Sequence, residues 1–567
     1  MELVSVMLNG ERTVVILFIA RLLYSVPLFL LYEGFALSLL ALAGFYLEIF
    51  TENSTSLIQF KTRPGASSGI LLGTVTLPAV MLSRLIQLSR AVQHSEIGYL
   101  ILQYWAVSAS CFGVLVFLRF TLRQLADGTK SLSIPNVRNA AIGLSYVIFY
   151  AAICFFSLAT NTPGLHVALK LLWVFCHGMA AVKLILHIIH TFPSCASIGE
   201  ALLVTAGLVL YVGDMLACTL VKIDVTLFSS KLVSPQYEMK KNEISTIIQG
   251  ILVGLLIFPI LYKFIVRTCG YSTKYLNGEK FVTDEKTPRG VRRSLLFYGS
   301  LAVILVLVVP VWMRFVHEFH MHPLIWVFNF VFSEPLRRLP LCIYWIGVTC
   351  ASVLRFYNIS KHSKIERILL RKYYHLVAVL MFSPALILQP KFLDLAFGAA
   401  LAAFLVLEII RVWKIWPLGK HIHYFMNAFT DHRDSDLLIV SHFSLLMGCA
   451  LPKWMSSGFN DRPLAPFAGI LSLGIGDTMA SMVGHKYGVL RWSKTGKKTI
   501  EGTAAGITSV LVACSVLLPL LASTGYVISQ HWLSLLFAIT VSGLLEAYTA
   551  QLDNAFIPLV FYSLLCL

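Results

Sequence analysis

The run 464–484, LAPFAGILSLGIGDTMASMVG, is apolar over its whole length except for one charge, Asp477. About 20 apolar residues cross the hydrocarbon core of a bilayer as a helix, and this run has that length. It is continuous rather than alternating, which predicts a helix and not a barrel strand. An ionisable group inside such a helix is costly enough to mark a functional site by default. Fold and function are therefore both raised by the same 21 residues.

Similar runs recur along the chain of 567 residues. Hydrophobic residues make up 57%, charged residues 13%, and the mean hydropathy is +0.78. Only helices or closed barrels satisfy backbone polar groups in lipid, so the fold class is all-α, a polytopic integral membrane protein. The formal charge of +17 does not imply nucleic acid as a partner. Its Lys and Arg residues sit mainly in short loops between apolar runs, where they act as topology determinants beside a lipid bilayer. The eleven cysteines are scattered without metal-ligand spacing and read as small buried hydrophobes.

Region 1–245 contains roughly seven runs of spanning length, near 14–30, 33–49, 68–84, 97–119, 137–158, 165–190 and 199–220. The first reads as a transmembrane helix or signal anchor rather than a cleaved signal. Polar residues here, such as Lys170 and Asp214, are isolated and read as interhelical contacts. This N-terminal region offers no chemistry of its own. Region 246–355 connects it, after the basic loop 267–293, to region 356–567, where polar residues gather. Further runs lie near 244–266, 294–312, 339–355, 373–388, 393–410, 436–452, 464–484, 503–523, 530–547 and 552–567, with 323–332 too short to span. The expected total is about fifteen transmembrane helices. Loops 267–293, 356–372, 411–435 and 485–501 carry roughly 21 Lys and Arg, and the alternate set 313–338, 389–392 and 453–463 roughly six. The basic set is assigned to the cytosol. Asn358-Ile359-Ser360 then lies on the cytosolic side and is expected to carry no glycan.

Two readings fit Asp477. Its carboxylate could hold a divalent metal, magnesium being suited to one or two carboxylates with phosphate oxygens. Alternatively Gly474, Gly476, Ala480 and Gly484 form a packing stripe and a neighbouring helix satisfies the aspartate. The following loop favours function. Gly484, Gly488 and Gly502 surround Lys494-Thr495-Gly496-Lys497-Lys498-Thr499-Ile500-Glu501, and lysines among glycines and hydroxyls are suited to closing on a polyphosphate. The pattern is not a Walker A loop. Arg371-Lys372-Tyr373-Tyr374-His375 and Asp431-His432-Arg433-Asp434-Ser435-Asp436 open two further helices. Glu546 and Asp553 border a stretch too polar to face lipid, and either could complete a metal site. Metal, lysines and acids are the equipment of phosphoryl or nucleotidyl transfer. A membrane transporter, the main non-enzyme alternative, would place its polar groups near the bilayer midplane.

Gly476-Asp477-Thr478-Met479-Ala480-Ser481, Gly484, Gly488 and Lys497-Lys498-Thr499-Ile500-Glu501-Gly502 resemble the CTP-using core shared by polyprenol kinases and phosphatidate cytidylyltransferases. Arg371 to His375, Asp434-Ser435 and Glu546-Ala547-Tyr548-Thr549 through Asp553-Asn554 look like the dolichol kinase family in particular. The likeness is strong over about 365–567. The His-Gly-Gly and Asp-Arg-x-Asp signature of the cytidylyltransferases is missing, which argues against CDP-lipid synthesis. Phytol kinase and CTP-dependent diacylglycerol kinase resemble the core but are shorter chains.

The resemblance implies transfer of the CTP γ-phosphate to the terminal hydroxyl of dolichol, giving dolichyl phosphate, the lipid carrier for protein N-glycosylation. It implies an endoplasmic reticulum membrane location with a cytosolic site. On that reading Asp477, with Glu546 or Asp553, binds magnesium, and Lys497 and Lys498 neutralise the transferring phosphoryl group. Gly474, Gly476, Thr478, Ser481, Gly484, Gly488, Thr499, Glu501 and Gly502 form the nucleotide site. His375 and Asp434 are candidates to orient or deprotonate the acceptor.

Overall fold

The computed structural model describes residues 9–53, 67–90, 97–126, 137–160, 165–192, 195–223, 241–269, 288–362, 367–427, 439–456, 462–492, 498–525 and 531–567. Helices account for nearly all of them, from Gly10–Tyr24 to Asp553–Leu565. The sole pairing outside helices among these residues is an antiparallel bridge between Arg491 and Thr499. The chain is an all-α, polytopic membrane protein.

Ten helices among the described residues are long and apolar enough to cross a membrane, against about fifteen expected. The difference lies in runs that are shortened or interrupted. The run near 14–30 is divided between Gly10–Tyr24 and a turn at Leu28–Leu30 that leads into Leu31–Asn53, because Pro27 cannot continue the first helix. Lys372–Leu388, Trp532–Tyr548 and Asp553–Leu565 are apolar but shorter than the ten, as is Pro323–Ser333, which the sequence reading also treats as too short. The expected loop 356–372 is largely helical, since Pro335–His362 and Arg367–Leu388 leave only 363–366 between them.

Ile70–Arg90 is the central helix, with 89% of its apolar window buried, whereas the window in His166–Thr191 is 22% buried and faces outward. A helix apolar on all sides can face lipid or other helices, and this one is covered by other helices. Its cover comes from Gly10–Tyr24, Leu31–Asn53, Ile97–Ala126, Ile198–Ile223 and, from the far end of the chain, Asp553–Leu565. Ser563 Oγ reaches the backbone oxygen of Ala79 at 3.3 Å. Arg90 and Arg462 both donate to the backbone oxygen of Leu567, at 2.8 and 3.0 Å.

Asp214 makes the interhelical contact expected of it. It accepts from Tyr99 at 2.6 Å, Gln103 at 3.0 Å and Gln249 at 3.0 Å, and pairs with Lys241. Glu408, another acid within an apolar run, is held by Arg411 at 2.7 and 2.8 Å and accepts from Ile439 N–H at 2.9 Å. Both carboxylates are buried or nearly so and fully occupied, as buried charges must be.

Candidate active site

The 464–484 run is not one regular helix. A single turn at Ala465–Phe467 is followed by a π-helical stretch, Ile470–Asp477, and then by α-helix Thr478–Tyr487. π-helical insertions in α-helices occur frequently at functional sites. Asp477 is the last residue of the widened stretch and is 2% exposed.

Four other segments converge on it. Helix Arg367–Leu388 packs against the π-helical stretch, and Lys372 Nζ donates to Asp477 Oδ2. One turn on, His375 Nδ1 lies 3.1 Å from the same carboxylate oxygen and 3.2 Å from the backbone oxygen of Leu473. Both neighbours accept hydrogen bonds, so Nδ1 is the nitrogen that donates to them. Lys372 Nζ is also 4.0 Å from Asp553 Oδ2, at the start of the helix Asp553–Leu565. Lys498 Nζ lies 3.1 Å from Glu546 Oε1, bonds the backbone oxygen of Glu546 and reaches that of Thr549 at 3.4 Å. Three carboxylates and two ammonium groups thus meet at one end of the helices, from segments up to 181 residues apart (Lys372 to Asp553). From Asp477 and Glu546 a narrow crevice runs between the helices, lined by Gly506, Ile539, Ile557 and Phe561.

The residues around the site fix its walls. Thr499 caps helix Ile500–Ser523 by accepting from Gly502 N–H at 3.2 Å. Glu501 accepts from Leu490 N–H at 3.0 Å, and Ile500 N–H bonds the Leu490 oxygen at 2.8 Å, which closes the turn that delivers Lys498. Thr478 Oγ1 donates to the backbone oxygen of Lys372 at 3.3 Å and locks the two site helices together. A Cβ on Gly502 would lie 2.6 Å from the Ala480 oxygen and 3.0 Å from Gly484 Cα, so only glycine permits this crossing. Gly474 faces Val379, Gly476 faces Val510 and Gly488 faces Thr499. The two readings of the glycine stripe therefore coexist: the small residues pack helices, and the packing holds Asp477 against a lysine. Ser481 is half-buried on the same helix. Lys497 and Asp434 lie outside the described residues.

Lys372 was not among the residues that the sequence reading assigned to the site. Its signal was present: it stands three positions before His375, on the same helix face. Among the described residues no group of three or more His, Cys, Asp or Glu is placed to hold a metal ion.

A multi-helix membrane protein with lysines and carboxylates gathered at one end of its helices has the make-up of a membrane-embedded phosphotransferase. A family model described as dolichol kinase matches residues 54–489. The chain is 60% identical to dolichol kinase EVAN of Arabidopsis thaliana over 566 residues, 99% of this chain and 98% of that one. It is 31% identical to the dolichol kinase of Homo sapiens over 394 residues, 67% of this chain and 66% of the human one. It is 35% identical to dolichol kinase sec59 of Schizosaccharomyces pombe over 286 residues, 48% and 55% of the respective chains. No solved structure gives a significant match. The chain belongs to the dolichol kinase family.

Proposed function

We propose that the cluster around Asp477 transfers the γ-phosphate of CTP to the terminal hydroxyl of dolichol at the cytosolic face of the endoplasmic reticulum membrane. The observation that carries this assignment is the meeting of Lys372, Asp477, Asp553, Lys498 and Glu546 at one end of the helices. Region 356–567 is the catalytic part, and 246–355 connects it to the N-terminal region. A transporter reading is disfavoured because these groups cluster at helix ends, and the crevice beside them is lined mainly by apolar and small residues.

The chemistry of the donor set supports a divalent cation, most naturally Mg2+. Asp477, Asp553 and Glu546 bring carboxylate oxygens to one place, and magnesium is commonly held by one or two carboxylates together with phosphate oxygens. Asp477, with Asp553 or Glu546, would hold the ion, which when bound would neutralise phosphate charge. Lys372 and Lys498, now on carboxylates, would turn to the phosphate oxygens, joined by Lys497. In the transfer itself the dolichol oxygen forms a bond to the γ-phosphorus while the bond to the β,γ-bridging oxygen breaks. CDP leaves with that oxygen, and the hydroxyl proton passes to a base. His375, whose ring is oriented by Asp477, is the candidate for that role among the described residues. The crevice beside Asp477 and Glu546 is where the alcohol end of the isoprenoid would sit.

The test is direct. Purified protein with radiolabelled CTP and magnesium should phosphorylate dolichol in preference to phytol or diacylglycerol. Asp477→Asn should abolish transfer per folded molecule, beyond any loss of stability from the stranded Lys372 charge. Near-normal activity in that variant would remove Asp477 from the site, and a CDP-lipid formed from phosphatidate would move the chain to the cytidylyltransferases.

A further inference from the structure

Glu546 lies in the last turn of Trp532–Tyr548 and Asp553 begins the next helix, so the linker 549–552 sets the distance between two of the site's carboxylates. This linker is fastened to the N-terminal half of the protein. Glu200, 5% exposed, receives Leu552 N–H on Oε1 at 2.6 Å and Ser197 N–H on Oε2 at 2.8 Å. Gln551, 1% exposed, donates from Nε2 to Ser67 O at 2.9 Å and Ser67 Oγ at 2.8 Å, and accepts from Ser197 Oγ. Gly69 makes room for it: its φ is +61° and a Cβ there would lie 2.4 Å from Gln551 Cδ. The N–H of Gly199 bonds Ser68 O at 2.9 Å, joining the two N-terminal segments into one seat.

We propose that Glu200 and Gln551 form a latch through which the N-terminal helices position Glu546 and Asp553 for phosphoryl transfer. Glu200 and Gln551 touch none of the reacting groups. They are positioning residues, acting on the peptide that leads into Asp553. A carboxylate buried between two backbone N–H groups from separate regions is a stiff tie, because leaving either donor unpaired is costly. The latch gives the N-terminal half a task that its own residues do not reveal, since it contains none of the site's charged groups. The proposal rests on the assignment of Asp553 and Glu546 to the site.

Glu200→Ala, Glu200→Gln and Gln551→Ala are compared with the parent and with Asp553→Asn, all as purified full-length protein. For each variant kcat, the KM values for CTP and dolichol, and the thermal unfolding midpoint are measured. Glu200→Ala and Gln551→Ala should lower kcat by about ten- to a hundredfold per folded molecule, with the dolichol KM unchanged. Glu200→Gln, whose amide oxygen still accepts from Leu552 N–H, should recover most of the loss, and this variant carries the test if the alanine protein does not fold. A tie that serves stability alone would lower the unfolding midpoint and leave kcat per folded molecule at the parental value, which overturns the latch. Parental kcat in Asp553→Asn would instead overturn the site assignment. Slow Asp553→Asn beside fast Glu200→Ala would overturn the latch alone.

Discussion

Lys372 and Asp477 form a buried ion pair across 105 residues of sequence, the lysine coming from a helix start and the aspartate from a π-helical stretch. Removing one member of a buried pair strands the other charge, at roughly 3–5 kcal/mol. Lys372→Met should therefore abolish transfer and also lower the unfolding midpoint. Lys372→Met combined with Asp477→Asn should regain stability and stay inactive. Calorimetry in detergent beside the kinase assay separates the two effects, and a double variant no more stable than the single one would contradict the pairing.

Lys498 is about one-third exposed and holds Glu546. Its loss should weaken one charge-assisted phosphate contact, roughly 1.5–3 kcal/mol or about ten- to a hundredfold in kcat/KM. Lys498→Ala is expected to raise the CTP KM with little change in thermal stability. A purely topological role would instead show as altered membrane orientation with normal kinetics in correctly oriented molecules.

Gly502→Ala places a methyl group against the Ala480 oxygen. Helices Thr478–Tyr487 and Ile500–Ser523 must then separate, at about 1–3 kcal/mol. Activity should fall with stability, because this crossing holds the Asp477 helix beside the segment carrying Lys498. Unchanged activity and melting would show that the crossing is not tight.

Asp214 offers a contrast, since its four polar partners lie far from the lysine–carboxylate cluster in the chain and serve helix packing. Asp214→Asn should cost roughly 2 kcal/mol of stability while kcat per folded molecule stays parental. A selective loss of kcat would give the N-terminal half a second catalytic connection.

The orientation has its own check. With the basic loops in the cytosol, Asn358 should remain unglycosylated, whereas a sequon engineered into 313–322 should acquire a glycan in microsomes. The opposite pattern would invert the topology.

Much of this was legible in the sequence because bilayer physics is simple. Continuous apolar runs become helices, and an aspartate inside one marks a site. Asp477, Lys498, Glu546, Asp553 and His375 each stand out in the sequence as polar residues in or beside apolar runs, although packing or anchoring could also account for some of them. What sequence could not supply was pairing between distant segments. Nothing local says that Lys372, one of several basic residues near a helix start, is the one that reaches Asp477. The π-helical widening at 470–477 has no signature that separates it from ordinary helix. The sequence does not connect Gln551, within the polar stretch 546–554, to Glu200 and Ser197 some 350 positions earlier; only their contacts do.

The cover on Ile70–Arg90 has a consequence for synthesis. One side of that helix is closed by Asp553–Leu565, and the Ser563–Ala79 contact joins residues 484 positions apart. At about 5–20 residues per second, a ribosome needs roughly 25 to 100 seconds to make the intervening chain. Throughout that interval the face of Ile70–Arg90 that Asp553–Leu565 covers in the finished chain lacks that cover. A nascent chain stalled in its last tenth would expose this flank to the translocon and to the membrane's degradation machinery, although nine-tenths of its sequence had been made correctly.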